Sequence, residues 1–330
     1  MAVRVSRRDA RDMVARLHLA IVVHVQHGGG GGHSDATRYA LDEIRTACSG
    51  GQHAGHNREG IGATVGAVEG VVAGMAAHAG EVGVQRVGMG ALGTLSLRCP
   101  ANQLRIGSAA GAVACVVAGM VAHAGDVLVQ RSGMAALANL AKDCPANQQR
   151  IGSAAGGMAC VVAGMVAHVG DVQVQRGGMG ALAQLALRSP ANKERIGSIA
   201  GAPACVVAGL VAHANHAGVQ RTGMGTLAAL AAGNHANQQR IGGTPGAIDA
   251  IVAGMELHAG EEEVRLWGLR ALWSLSVNNT GNQHLMRASA ALLRVVASAR
   301  GGALRELRRE TLEALGMSSA QARAAAAKVG

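Results

Sequence analysis

Aromatic side chains are almost missing from this chain: 330 residues hold no Phe, one Tyr (Tyr39) and two Trp (Trp267 and Trp273). A core of stacked rings is thereby excluded, and the interior must come from Ala, Val, Leu, Ile and Met, with backbones approaching closely at the 49 Gly. Single-strand nucleic-acid surfaces stack bases on aromatic platforms, so specific nucleic-acid recognition is not expected. Contact with phosphates alone would be nonspecific. Long apolar runs are also missing. No window reaches the roughly 18 uninterrupted apolar residues of a membrane span, and the first run, Leu17 to Val25, is broken by His18 and His24. No small-residue cleavage site follows it, so a secretory leader is not expected. Residue 2 is Ala, which removes N-myristoylation. Membrane insertion is therefore not expected.

What is abundant is order along the chain. Asn recurs at Asn57, Asn102, Asn147, Asn192, Asn237 and Asn282, every 45 residues, and Ile follows four places later at Ile61, Ile106, Ile151, Ile196 and Ile241. A fixed period in the twenty-to-fifty range is the mark of a solenoid. Such an array grows in one dimension without splitting its core, so the usual length prior for two domains does not apply. Within one period the pattern predicts three helices. A short one runs from Asn102 to Ala109, and Gly111 breaks the chain. A second spans 112–123, with Val113, Val116, Val117 and Met120 at helical spacing. Asp126 caps a third that runs to Ala141, with Val129, Met134, Leu137 and Leu140 inward. Pro100, Pro145 and Pro190 are expected to stop the third helices, because proline cannot continue one. Gly inside a helix is unfavourable by roughly 1 kcal/mol relative to Ala, and the third helices carry several (Gly88, Gly90, Gly93). These helices are expected to depend on their neighbours.

The pattern N-x-x-x-I, G-x-x-x-x-V-V, D-x-x-V-Q-R, A-L-x-x-L, read here as NQQRI, GAVACVV, DVLVQR and ALANL, resembles the armadillo repeat. The fold class expected is all-α: a right-handed α-solenoid of about five regular three-helix repeats over 57–281. Residues 1–56 would form an N-terminal cap, a degenerate partial repeat with a glycine linker at Gly28–Gly32. That cap is predicted as helices over 6–27 and 34–48, the second capped by Ser34 or Asp35. Residues 282–315 would form a C-terminal partial repeat, where Met286 replaces the isoleucine, and 316–330 a tail. The resemblance implies that the third helices line a groove for an extended segment of another protein.

The functional candidates are columns of that groove. Arg86, Arg131, Arg176 and Arg221 lie one turn before Gly90, Ala135, Gly180 and Gly225, and two turns before Thr94, Asn139, Gln184 and Ala229. Spacings of four keep residues on one helical face. Guanidinium groups at one per repeat suit carboxylates or phosphates on an extended acidic or phosphorylated protein segment; the competing reading is a solvated face. Net charge is +10, with nearly all cations Arg, and a pI near 10.3 favours acidic partners. Trp267, beside Arg270, is a candidate anchor for a partner side chain. The competing reading has Trp267 and Trp273 plugging the junction with the C-terminal cap. A nuclear-transport cargo adaptor is disfavoured: in the importins of this family groove Trp and Asn columns hold basic cargo. Here the first column reads Gly90, Ala135, Gly180, Gly225, Arg270, and the second keeps only Asn139.

Other chemistry finds no footing. The histidines His78, His123, His168, His213 and His258 each end a second helix, where they suit the terminal carbonyls. About 10 Å apart by helix packing, they are too distant to share a metal with bonds near 2 Å. Neither metal nor cofactor is expected. Cys115, Cys160 and Cys205 share one column and Cys99 and Cys144 another, as small buried hydrophobes in a reducing compartment. No Ser sits in G-x-S-x-G, and no Cys is an isolated nucleophile beside a base, so neither enzymatic activity nor a small-molecule substrate is expected. The function expected is a non-catalytic protein-protein interaction scaffold in the cytoplasm or nucleus. The alternative is a structural or assembly component that works through its convex surface or end caps. No feature of the sequence sets an oligomeric state.

Overall fold

A computed structural model describes residues 4–26, 31–299 and 301–327 of the chain. They form 21 helices and two compact units, Met1–Ala167 and His168–Gly330.

The first unit opens with α1 (Arg7–Gln26) and α2 (Gly31–Cys48), followed by α3 (Ala54–Gly62), α4 (Ala67–Ala77) and α5 (Val82–Ser96). It continues with α6 (Pro100–Ser108), α7 (Ala112–Ala122), α8 (Val127–Ala141), α9 (Pro145–Ser153) and α10 (Ala159–Ala167). Like elements stack: α2 on α5 on α8, and α1 on α4 on α7 on α10. Ser6 and Asp9 cap α1 reciprocally, each accepting the other's backbone N–H. Helix α2 begins at Gly31, so Ser34 and Asp35 lie inside the helix that they were expected to cap. The rest of the glycine linker, Gly28 to Gly30, lies outside the described residues.

The second unit begins with α11 (Val172–Ala186), α12 (Pro190–Ser198), α13 (Ala202–Ala212) and α14 (Ala217–Ala231). Then come α15 (His235–Gly242), α16 (Ala247–Leu257), α17 (Glu262–Ser276), α18 (Thr280–Ala288), α19 (Ala290–Ser298), α20 (Gly302–Ala314) and α21 (Ser319–Ala327). Here α11, α14, α17 and α20 stack in order, as do α13, α16 and α19. Residues 282–315 fall on α18, α19 and α20, which follow the three-helix order of the repeats before them. The stretch expected as a tail carries α21, which packs on α19 and buries Ala322.

Within each unit, repeats are joined to the one before by their asparagine. Asn102 Nδ2 donates to Arg58 O at 2.7 Å and Leu95 O at 3.0 Å. Asn147 Nδ2 does the same with Gln103 O at 2.7 Å and Leu140 O at 3.0 Å. In the second unit Asn237 reaches Lys193 O and Leu230 O, and Asn282 reaches Gln238 O and Leu275 O. One carbonyl lies on the first helix of the previous repeat and the other ends the previous third helix. The amide oxygen is also used: Arg105, Arg150 and Arg240 each donate to the Oδ1 three residues back. A glycine makes this approach possible, because a Cβ at Gly62, Gly107, Gly197 or Gly242 would overlap the next repeat's Asn amide.

A second set of bonds comes from the glutamines of the V-Q-R motif. Gln130 Nε2 donates to Met120 O at 2.7 Å and His123 O at 3.2 Å, tying the third helix to the second. Gln85 and Gln220 repeat this arrangement. The core around these bonds is methionine where other proteins use rings. Met89, Met120 and Met134 are buried in the first unit, and the Met120 side chain lies where a Cβ on Gly133 would stand. Flexible thioethers fill such irregular gaps, which is how the chain builds a core without Phe.

Turns recur with the same period. Gly66, Gly111, Gly156, Gly201 and Gly246 adopt φ between 73° and 79°, a conformation that is open to glycine and strained for other residues. They bend the first helix into the second by 80°, 77° and 78° at Gly66, Gly111 and Gly201. No single described helix is long and apolar enough to cross a membrane. At the end of the third helix the structure corrects the reading of proline. Pro100, Pro145 and Pro190 are the first residues of α6, α9 and α12, where the missing N–H would have no partner in any case. The stop lies earlier, at Arg98, Asp143, Arg188, Gly233 and Asn278, which all take φ between 52° and 65°.

The cysteines are all free thiols. Burial pushes Cys48 and Cys205 up to about 12, and Cys115 and Cys160 up to about 11, from an unfolded value of 9.0. A raised folded pKa contributes stability that is whole below the unfolded value and is lost as pH rises through the folded one.

Three outcomes follow from this architecture. Asn147→Ala lowers stability by about 2 kcal/mol in urea denaturation, because two buried carbonyls lose their donor. Arg188→Gly raises it by about 1 kcal/mol through relief of the left-handed backbone. Stability declines between pH 9 and 11–12 in thermal melts, and replacing Cys48, Cys115, Cys160 and Cys205 by Ala flattens that decline.

Candidate functional site

The third helices present a face of small residues, and two of these small positions are covered by a long side chain from a neighbouring third helix. In the first unit the stem of Arg45 on α2 crosses Gly90 on α5, its Cδ 2.8 Å from where a Cβ would stand. Arg45 is held by Asp42. Together with Arg86, Val87, Leu128 and Ser132 the pair lines a cavity of about 290 Å³. Arg86 and Arg131 are both half-buried. Thr94 Oγ1 donates to Gly90 O at 2.9 Å on its own helix. Asn139 Nδ2 donates to Gly93 O at 3.0 Å, so it bridges α8 to α5.

The second unit holds the larger feature, a cavity of about 460 Å³ across α11, α14 and α17. Gly180, Ala183 and Gln184 come from α11, and Arg221, Thr222, Gly225, Ala228 and Ala229 from α14. Trp267, Arg270, Trp273 and Ser274 come from α17. Both tryptophans of the chain therefore line one cavity, and both are half-buried. The helix that carries them also packs on α20. Trp267 lies over Gly225, its Cε3 3.4 Å from where a Cβ would be, and the guanidinium of Arg270 sits 5.2 Å from the Trp267 ring centroid. The ring's negative face attracts the cation. Beside Gly180 the space is open, with no atom within 4 Å of its Cβ position.

Polar groups complete the cavity. Gln184 Oε1 is buried and makes no hydrogen bond, which is an unfavourable state for an acceptor. Arg221 Nη1 pairs with Glu263 Oε2 at 2.9 Å. Both partners are largely exposed, so the pair contributes little to stability. Arg176 on α11 is exposed and lies outside the lining. Of the candidate residues, then, Gln184, Arg221, Trp267 and Arg270 converge on this cavity. Arg86 joins the Arg45–Asp42 pair in the other unit, and Thr94 and Asn139 are engaged within their own stack.

Sequence reasoning passed over Arg45 and Glu263, which stand in columns that are not conspicuous in other repeats. It also passed over the column Arg105, Arg150, Arg195 and Arg240 of the R-I-G motif, three of whose members buttress the asparagine ladder.

The histidine column is bonded from repeat to repeat. His123, His213 and His258 contact Ala79 O, Val169 O and Ala214 O at 2.8, 2.7 and 2.7 Å. Each ring thus serves the end of the previous second helix, where capping of its own helix was expected. Among the described residues no group of three His, Cys, Asp or Glu could hold a metal ion.

Stacked three-helix repeats tied by an asparagine ladder define this chain as an armadillo-type α-solenoid. Solved structures agree on the fold. A β-catenin structure, described under a phosphorylation switch that controls the interaction between cadherin and β-catenin, superposes with a TM-score of 0.69 at 17% identity over 98% of this chain. The chain spans 57% of that protein's length. Two engineered proteins match with TM-scores of 0.74 and 0.51, at 19% and 18% identity, over 94% and 93% of this chain and 74% and 96% of theirs. No protein-family model matches the sequence, and no curated protein matches it.

A larger residue at the covered glycine would displace the ring above it. Gly225→Leu is expected to shift the tryptophan emission to longer wavelength and increase its quenching by acrylamide, with the far-ultraviolet helical signal unchanged.

Proposed function

We propose that this protein is a non-catalytic interaction scaffold that binds an extended, acidic or phosphorylated segment of another protein along its third-helix face. The observation that carries the reading is the convergence of Trp267, Trp273, Arg221, Arg270 and Gln184, from three successive third helices, on one cavity of about 460 Å³. Aromatic and Arg side chains in a partly dry pocket are the residue types that dominate interface energetics. The open space beside Gly180 accepts a partner side chain against the tryptophans, and the unpartnered Gln184 Oε1 accepts a donor from it. Arg221, Arg270 and the exposed Arg176 supply the positive field that favours carboxylate or phosphate groups. The cadherin interaction named for the β-catenin structure is of the same general kind. Free thiols throughout the chain support residence in a reducing compartment, the cytoplasm or the nucleus.

A second reading, an assembly role through the outer surface, draws on Val121 and Val166. These stand one repeat apart on second helices and are 61% and 60% exposed.

Because both tryptophans line the cavity, their fluorescence reports on it directly. Titration with an Asp- and Ser-rich peptide bearing one leucine, and with its phosphoserine form, is expected to change the emission saturably. Arg176→Glu with Arg221→Glu should weaken binding at least about tenfold, equivalent to about 1.4 kcal/mol. Equal binding of a lysine-substituted peptide, or no effect of the charge reversal, overturns the reading. Partner binding that survives the reversal but is lost when residues 282–330 are removed favours the assembly role.

A further inference from the structure

A cavity of about 820 Å³ in the first unit lies between α1 and α3, away from the third-helix face. Its lining is unusually cationic. Arg7, Arg11 and His18 stand on one face of α1 at spacings of four and seven, and His56 faces them from α3. Glu59 is the one carboxylate among the lining residues.

Elsewhere in this region three arginines have carboxylate partners. Arg16 pairs with Glu43, Arg38 with Asp35, and Arg45 with Asp42. Arg7 and Arg11 make no ion pair or hydrogen bond among the described residues. Two nearby carboxylates are engaged elsewhere: Asp9 caps the start of α1 with Ser6, and Glu43 holds Arg16. Like charges one helical turn apart destabilise a helix by a few tenths of a kcal/mol, roughly 0.2–0.5. Here two guanidiniums line one cavity with Glu59 as the single carboxylate beside them. The histidine two turns further along α1 is placed by packing: His18 lies across Gly66 and Gly70, its ring 2.7 and 2.9 Å from their Cβ positions. That contact fixes one wall of the cavity.

We infer that this cavity binds a small phosphoryl-bearing molecule, held by Arg7 and Arg11 with His18 and His56 as further donors. A guanidinium fork matches the oxygens of a phosphoryl group in pairs, which a point cation does not. Two such forks one turn apart suit a diphosphate better than a single carboxylate. The site is independent of the proposed peptide-binding face, and neither reading depends on the other.

Calorimetric titration of the full chain with inorganic pyrophosphate, at low ionic strength and against chloride matched in ionic strength, tests the assignment. One saturable site is expected. Arg7→Gln with Arg11→Gln should weaken it at least about tenfold, and the charge-matched control Arg4→Gln with Arg8→Gln by no more than about twofold. If the first pair disturbs folding, as judged by circular dichroism, His56→Gln on the opposite wall should still weaken binding severalfold. Absence of saturable binding, or equal loss in both double variants, overturns the inference. Tighter binding of a phosphoserine peptide than of pyrophosphate overturns it in favour of a protein ligand.

Discussion

A single amide carries the register of this protein. The asparagine that opens each repeat sends its Nδ2 to the two carbonyls that mark the previous repeat's position, one on its first helix and one at the end of its third. Its side chain is buried at Asn57, Asn102, Asn147, Asn192 and Asn237 alike. In a core of Val, Ala and Met, apolar contacts set how closely helices approach but leave sliding inexpensive. Directional bonds to buried carbonyls remove that freedom, because a shifted repeat would leave the carbonyls without donors. The glycine against which each amide lies, and the arginine that donates to its oxygen, belong to the same joint. The glutamine of V-Q-R plays the corresponding role inside each repeat.

This division of labour explains why so glycine-rich a sequence forms helices at all. Gly weakens an isolated helix, but in these third helices most of it sits where a neighbour's methionine, leucine, arginine or tryptophan occupies the place of its side chain. The helices are specified by what covers them. The third-helix face follows the same logic. It is a floor of small residues on which long side chains from adjacent helices are laid, Arg45 over Gly90 and Trp267 over Gly225. Where no such side chain arrives, at Gly180, the floor is open.

The sequence carried the repeat clearly because period and column identity are one-dimensional properties. The three helices, the buried valines and leucines, and the Asp126 cap could be read from spacing alone. The contents of the cavity could not, because the side chains that fill a column's space belong to a different column of another repeat. Trp273 has Ala in its column at Ala138, Ala183 and Ala228, so nothing in the neighbouring repeats marks the position. Proline misled for a related reason: its stopping power is well known, yet it opens the next helix here. The true stop bears Arg98 and Arg188, which are not turn residues. All five residues of that column take the left-handed backbone, but Gly233 and Asn278 are the residue types that favour it. The cationic cavity beside α1 lay in a cap read only for its helices, and the pairing of surrounding arginines becomes visible only in three dimensions.

The asparagine joint also governs how such a chain can change length. Each joint reads a fixed count, seven residues back to one carbonyl and forty-four to the other. An insertion or deletion inside the stack breaks the second count unless it falls in a loop that absorbs it, whereas gain or loss of a whole 45-residue unit leaves every joint intact. The molecule is therefore quantised along its axis. Duplication is the step by which it grows without mending anything, and each added unit extends the third-helix face by one column of positions free to vary.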